Sequence, residues 1–486
     1  MKASWKLRMF AGILGAVTVG CASQKAVRPD ANPPPAFDNQ VKNRESAWPS
    51  QEWYRGFGSD QLNALIDRAA SNNWDLAGAR ARVAQADARA RQAGATILPS
   101  VDAGGNANFL AGHSSNGSGH ETDWAALLSA SYEVDFWGKN RATANSARFL
   151  AAASRGERDT LALTTLAGVA NSYFQVLALR ERLAIAHSNL DAAQALLEIV
   201  QSRYEAGSAS PLELATQTAA RSVAALVIPE LEQQTGEARA ALALLTGSFP
   251  EGFELEQKPL DALTEPSVAA GLPAELLTRR PDVFAAEANL QSAHADLAAA
   301  RAAMLPSLNL TAAAGLQNPA LNAAVLSIPG TGSTLAITGT LAQVIFDRGR
   351  LQAQRAEAQS KNEELLASYR NAIASALADV ENALSAIEHL NQARQFQTET
   401  LVQGQRAFEG AKLRYQAGSS DYLVLLEAQR ALYSARDQFV QYKLARLQAL
   451  VGLCKALGGG WTQSAPDSTA PTAASAMQSD KRKTIQ

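Results

Sequence analysis

Residues 75–109, DLAGARARVAQADARARQAGATILPSVDAGGNANF, recur as residues 282–316, DVFAAEANLQSAHADLAAARAAMLPSLNLTAAAGL. The two stretches align without a gap at an offset of 207, and 11 of the 35 positions are identical. Both reach Leu-Pro-Ser at the same point, Leu98-Pro99-Ser100 and Leu305-Pro306-Ser307. A second landmark repeats at an offset of 211: Arg203-Tyr204-Glu205-Ala206-Gly207-Ser208 and Arg414-Tyr415-Gln416-Ala417-Gly418-Ser419. The offset drifts by only four residues between the landmarks, so whole structural units are duplicated. A period near 200 is far too long for a solenoid repeat, which leaves two copies of one architectural unit.

Each copy changes period at its Pro. Residues 60–98 carry a helical pattern with a break near Ser71-Asn72-Asn73, and Pro99 ends it. Beyond it the alternation is two: Leu128, Ala130, Tyr132, Val134 and Phe136 face one way, and Ser129, Ser131, Glu133 and Asp135 the other. In the second copy Leu308, Leu310, Ala312, Ala314 and Leu316 oppose Ser307, Asn309, Thr311, Ala313 and Gly315. Four strands follow, at about 101–110, 125–137, 307–316 and 334–346, with a register change expected near Ala342-Gln343. A polar loop, Gly112 to His120, joins the first pair, and a Gly-containing stretch from Gln317 to Ser333 joins the second. Strands of ~10 residues with one apolar and one polar face suit a transmembrane β-barrel; a soluble sandwich would show the same alternation. Four strands cannot close a barrel, since the smallest have about eight, so a barrel would have to be shared between chains.

After each second strand comes a Gly, Gly138 or Gly349, and then a stretch without Pro, 139–206 or 350–417. At ~1.5 Å per residue each could extend on the order of 100 Å. Leu166, Val169, Tyr173 and Val176 show coiled-coil spacing, interrupted near Arg180. Each long helix turns at its Ala-Gly-Ser motif and returns, which predicts helical hairpins over about 139–247 and 349–457. The organisation is then a signal peptide at 1–20, an arm at 21–59, a first repeat at 60–250, a linker at 251–271, a second repeat at 272–458 and a polar tail at 459–486.

Composition agrees with long packed helices. The chain of 486 residues is 47% hydrophobic but only 6% aromatic, and the apolar content is mostly Ala and Leu. A net charge of −2 without a basic stripe argues against nucleic acid; Lys481-Arg482-Lys483 reads as a solvated end of the tail. The start is an export signal: Lys2, Lys6 and Arg8, then a short apolar core from Met9 to Gly20. Thr18-Val19-Gly20-Cys21 resembles a bacterial lipobox, with Thr18 in place of the usual Leu, Val or Ile. On that reading Cys21 is the acylated first residue, and Ala22, not Asp, implies sorting to the outer membrane. The alternative is a Cys that follows an ordinary signal peptide. Cys454 is the only other cysteine. No later segment holds ~18 uninterrupted apolar residues, so no transmembrane helix is expected.

Enzymatic readings lack their parts. His113, His120, His187, His294 and His389 form no spaced ligand set with Cys or carboxylates. His113 and His120 share a loop and read as solvated. Neither a phosphate-binding Gly loop nor a nucleophile elbow is present. No enzyme activity, metal or cofactor is expected.

The chain resembles the TolC-like outer-membrane factors, and among them the OprM-like (NodT-type) efflux lipoprotein branch. The resemblance covers roughly residues 45–460. It rests on Leu272-Pro273-Ala274-Glu275-Leu276-Leu277-Thr278-Arg279-Arg280-Pro281-Asp282, on Val134-Asp135-Phe136-Trp137-Gly138-Lys139 and on the two Arg-Tyr-x-Ala-Gly-Ser turns. It implies a mainly α chain with a four-stranded β segment. As a homotrimer such a chain forms a 12-stranded outer-membrane β-barrel continued by a periplasmic α-helical barrel. It also implies the partners: outer-membrane lipid, a periplasmic adaptor protein and an inner-membrane pump of the proton-driven resistance-nodulation-division type. The implied function is a passive exit duct for small toxic solutes such as drugs. A duct for type I protein secretion and a coiled-coil structural lipoprotein without a pore are the alternatives.

The resemblance also implies site residues. The turns Arg203, Tyr204, Gly207, Ser208 and Arg414, Tyr415, Gly418, Ser419 would form the inner end, where adaptor and pump dock. Gly at C′ also ends a helix for purely local reasons. Leu423 and Glu427 match the closed constriction of the branch, where Asp is usual at the second position. Three Leu423 would make an apolar ring and three Glu427 an anionic one that favours cations; a solvated helix carboxylate is the plainer reading of Glu427. Tyr415 matches a gate tyrosine of TolC, but Ser420 replaces the Arg of that gate.

Overall fold

The computed structural model describes residues 34, 36–37, 48–114, 117–256, 258–268, 271, 273–317 and 333–463. The signal peptide, Cys21, most of the arm, Leu272, the stretch between the third and fourth strands and the tail beyond 463 lie outside them. The elements are α1 (Asp60–Asn72), α2 (Trp74–Ala95), β1 (Ser100–Ser114), β2 (Gly117–Val134), α3 (Lys139–Glu205), α4 (Pro211–Leu245), α5 (Leu276–Arg279), α6 (Pro281–Ala302), β3 (Ser307–Gln317), β4 (Ser333–Ala342), α7 (Arg350–Gln416) and α8 (Tyr422–Ala456). The duplication is literal in length: α3 and α7 each have 67 residues, and α4 and α8 each have 35.

The chain separates into two compact units. The first contains Trp74–Leu161 and Asp282–Ser375. Its sheet is antiparallel with strands in the order β1-β2-β3-β4. The central β2–β3 ladder runs from Ala125↔Gln317 to Val134↔Leu308 and joins one repeat's strand pair to the other's. The registers sort the side chains by face. Val101 lies opposite Ala130, Ala130 opposite Ala312, and Ala312 opposite Ile337. Asp102, Ser129, Ala313 and Ala336 form the corresponding row on the other face. Val101, Leu128, Leu310, Leu335, Ile337 and Leu341 are all exposed on the apolar face. A four-stranded sheet with its apolar side uncovered and an unpaired edge at β1 and β4 is an incomplete object in water.

The strand ends differ from the sequence expectation. The β1–β2 ladder continues to Ser114↔Gly117, so much of the stretch read as a loop is strand. A ladder needs only backbone donors and acceptors, which Gly, Ser and His supply as well as any residue. β2 stops at Val134 rather than 137 because the Asp135 carboxylate takes the Asn140 and Arg141 N–H groups at 3.0 and 2.9 Å and caps α3 instead. β4 stops at Ala342, where the Gln343 side chain turns to donate to the Met304 carbonyl. Gly138 and Gly349, at φ 79° and 83°, occupy the left-handed region at the two strand-to-helix joints.

The second unit contains Pro34–Asn73, Ala162–Pro281 and the chain from Ala376 onward. Ser59 accepts from the Leu62 N–H and caps α1, whose Leu62, Leu65, Ile66 and Ala69 form one buried stripe. That stripe packs on Tyr173, Phe174 and Leu177 of α3, Leu242 of α4 and Val451 and Cys454 of α8. Burying each large side chain of this set stabilises by about 1.5–3 kcal/mol. Arg180, where the α3 seam is interrupted, donates to the Glu256 carbonyl at 2.9 Å without breaking the helix. One 18-residue window of α3 is apolar enough to cross a membrane by length and composition alone, although it is not an uninterrupted apolar run. Half of it is buried inside the protein, as the packing face of a core helix would be.

Candidate functional site: the helical turns

Both hairpins of the second unit reverse through the same six-residue device. The Ser208 N–H donates to the Arg203 carbonyl at 2.8 Å and the Gly207 N–H to the Tyr204 carbonyl at 2.9 Å. Ser419 and Gly418 make the same pair to Arg414 and Tyr415 at 2.9 and 3.0 Å. This is the Schellman pattern, and it needs the left-handed conformation that Gly207 and Gly418 adopt at φ 72° and 71°. The Ser208 and Ser419 hydroxyls back up the same carbonyls at 3.0 and 3.1 Å. The returning helices are capped differently. Ser210 accepts from the Glu213 N–H and Pro211 takes the first helical position, whereas Asp421 accepts from the Leu423 N–H.

Tyr415, expected in the constriction and on the docking surface, is only 2% exposed in the single chain. Its ring sits under the Arg203 guanidinium, 4.5 Å from the centroid. Arg203 Nη1 also donates to the Tyr415 carbonyl at 2.5 Å. The Tyr415 hydroxyl donates to Glu213 Oε2 at 3.2 Å. Beside it Tyr422, buried and edge-on at 5.9 Å, donates to Gln217 Oε1 at 2.9 Å. Gln217 in turn donates to the Ala193 carbonyl at 3.0 Å. The first hairpin and the second are thus clamped through two tyrosines and a cation–π contact. Burial, then the Glu213 carboxylate, raises the Tyr415 pKa above the ordinary phenol. Burial above all pushes Tyr422 up to about 12, so both phenols stay neutral donors at physiological pH.

Leu423 and Glu427 do share an exposed face of α8, one turn apart, with Leu423 60% exposed. Tyr204 and Arg414 are exposed as well. Glu213, Gln217 and Tyr422 are the partners in this cluster that sequence reasoning missed. Glu213 carried one signal, the Ser-x-x-Glu capping box from Ser210. Among the described residues no group of His, Cys, Asp and Glu could hold a metal ion. Cys454 is buried, and burial pushes its thiol up to about 12.

A duplicated chain whose sheet has an uncovered apolar side, continued by long hairpins, has the construction of an outer-membrane channel. It belongs to the family of outer membrane efflux proteins, whose sequence profile matches residues 65–248 and 272–459. The pyoverdine export outer membrane protein OpmQ of Pseudomonas aeruginosa is 44% identical over 436 residues, covering 86% of this chain and 89% of that one. Among solved structures the outer-membrane channel OprN superposes with a TM-score of 0.83 at 25% identity, covering 90% of this chain and 99% of that one. The Neisseria gonorrhoeae MtrE outer membrane channel, in its open state, gives 0.79 at 28% identity, with 90% and 99% covered. The protein is accordingly an efflux duct of the outer membrane.

Proposed function

We propose that three copies assemble into the duct, each supplying its four strands to one 12-stranded barrel, and that the helical turns close it at the periplasmic end. The carrying observation is the sheet: its apolar face is uncovered and its two edges are unpaired, which only copies of the same sheet in lipid complete. Leu423 and Glu427 are the constriction, three leucines opposing water and three carboxylates favouring cations. The Tyr415 cluster keeps the two turns of each chain together, so opening works against it. The exposed parts of the turns, Tyr204, Gly207, Ser208, Arg414, Gly418 and Ser419, face the adaptor and the inner-membrane pump, which supplies the energy. Cys21 carries the lipid anchor. The likeness to OpmQ supports a cargo of the kind exported with pyoverdine, in preference to a secreted protein.

Complementation tests this. Expression in a strain that lacks its own pyoverdine exit duct should restore extracellular pyoverdine, and the Cys21→Ser variant should lose palmitate labelling. Restored resistance to drugs without restored pyoverdine would replace the cargo, and restoration of neither would overturn the reading.

A further inference from the structure

Beside the tyrosine clamp, α3, α4 and α8 line a cavity of about 450 Å³ that lies within one chain. One end is bounded by the clamp itself. Thr216 of the lining precedes Gln217, and Leu426 is one turn from Tyr422, the two partners of the 2.9 Å hydrogen bond. The other end is bounded by Arg182 Nε on Asp437 Oδ1 at 2.6 Å. Between the ends Ala186, Ala219, Ala220 and Ala224 stand where larger side chains would fill the space, and Val223 and Leu231 keep the wall apolar. Three charged side chains reach the lining: Arg182, Asp437 and Arg430. Arg182 and Asp437 neutralise each other. Arg430 is exposed, and among the described residues its guanidinium makes no hydrogen bond or ion pair, not even with Glu427 one turn away. An apolar cavity of this size with one uncommitted cation at its edge has the make-up of a small-molecule site.

We infer that this cavity binds a small amphiphile with one anionic head, its apolar body between α4 and α8 and its head on Arg430. A neutral solute gains the apolar wall but nothing from the guanidinium, and a cation is repelled by it. Access to the cavity rests on the constriction proposed above. Arg430 is seven residues beyond Leu423 and three beyond Glu427, so the three share one face of α8. On that reading the face looks into the duct, and the cavity opens from the duct wall ~10 Å along α8 from Leu423. The walls come from the two hairpins that the clamp holds together. Separating α4 from α8 dismantles the cavity, so the anion binds the closed duct better than the open one and shifts the population toward it. The site is a brake on the duct.

Equilibrium dialysis of naphthalenesulfonate against the full-length protein in nanodiscs of zwitterionic lipid tests the site. Neutral naphthylmethanol and cationic naphthylmethylammonium are the controls. The anion should bind saturably, and binding should be about ten-fold weaker for both controls and in Arg430→Gln. Arg430→Lys should restore it, and Val223→Trp, which fills the cavity, should abolish it. Arg430 and Val223 are both exposed, so neither substitution disturbs the core. In planar bilayers the anion should lower the open probability of Tyr415→Phe and leave that of Y415F/R430Q unmoved. Absence of saturable binding, or binding indifferent to head-group charge or to Arg430, would overturn the site. Selective binding that leaves the open probability unmoved would overturn the brake. Because the cavity lies within one chain, binding is read whether or not the protein conducts. Selective binding to a protein that never conducts would uphold the site and sink the duct reading.

Discussion

The Tyr415 hydroxyl and the Glu213 carboxylate meet at 3.2 Å across 202 residues of chain, tying the end of α7 to the start of α4. The Arg203 guanidinium on the Tyr415 ring completes the contact. A hydrogen bond to a charged group contributes ~1.5–3 kcal/mol, and partial solvent screening brings this one to about 1 kcal/mol. Tyr415→Phe should therefore raise the open-to-closed ratio of the duct roughly five-fold, and Glu213→Gln by less, since the amide still accepts. Open probability in planar bilayers checks this, and an unchanged value in Tyr415→Phe would remove the clamp from the mechanism.

The clamp should fail at high pH. An ordinary phenol ionises near 10.0, and Tyr422 does so at about 12 in the fold, with Tyr415 raised in the same direction. The folded state thus holds its phenolic protons more tightly than the unfolded state. Their contribution is complete below pH 10.0 and is lost as pH rises toward about 12. The protection factors of the turn amides, which remove the hydroxide-catalysed rise of intrinsic exchange, should fall across that window, and Tyr422→Phe should flatten the response. Protection factors that already fall below neutrality would point to other groups.

On the proposed constriction, Glu427→Gln should lower cation selectivity without changing assembly, because a ring of three carboxylates would become a ring of three amides. The reversal potential across a salt gradient measures it. If the potential does not move, Glu427 is a solvated helix carboxylate.

Cys454 should resist maleimide in the folded protein and react once the protein is unfolded. Its side chain is buried and its thiol is pushed up to about 12, so almost no thiolate is present near neutrality. Labelling at the rate of an exposed thiol would mean that the α1–α3–α8 core opens.

Gly247→Ala should destabilise the protein by about 1–3 kcal/mol. Gly247 has φ 67°, and a Cβ there would sit 2.2 Å from the Asn72 carbonyl oxygen. A lowered thermal dissociation midpoint is the expected result, and an unchanged one would show that the backbone near Asn72 yields.

The duplication, the two-residue alternation and the long helices were legible in the sequence because each is a local pattern repeated twice. The sheet's apolar face could be listed from Leu128 to Val134 before any register was known. The strand ends could not, since Asp135 had to choose between continuing β2 and capping α3, and the cap won. Tyr415 shows the same limit at the site. Its place beside a turn said nothing of its burial; side-chain direction on a helix follows packing, and Arg203, Glu213 and Tyr422 enclose it. Those partners lie near residues 200 and 420, and no local pattern joins them. Leu423 and Glu427, one turn apart on a single helix, needed no such long-range information to share a face.

Planar-bilayer recording of the purified wild-type protein tests the central claim most directly. An outer-membrane duct closed at its turns should insert and give discrete, low, cation-selective conductance that rises in the Tyr415→Phe variant. Correctly assembled protein that inserts yet never conducts, or that conducts with anion selectivity, would contradict the account.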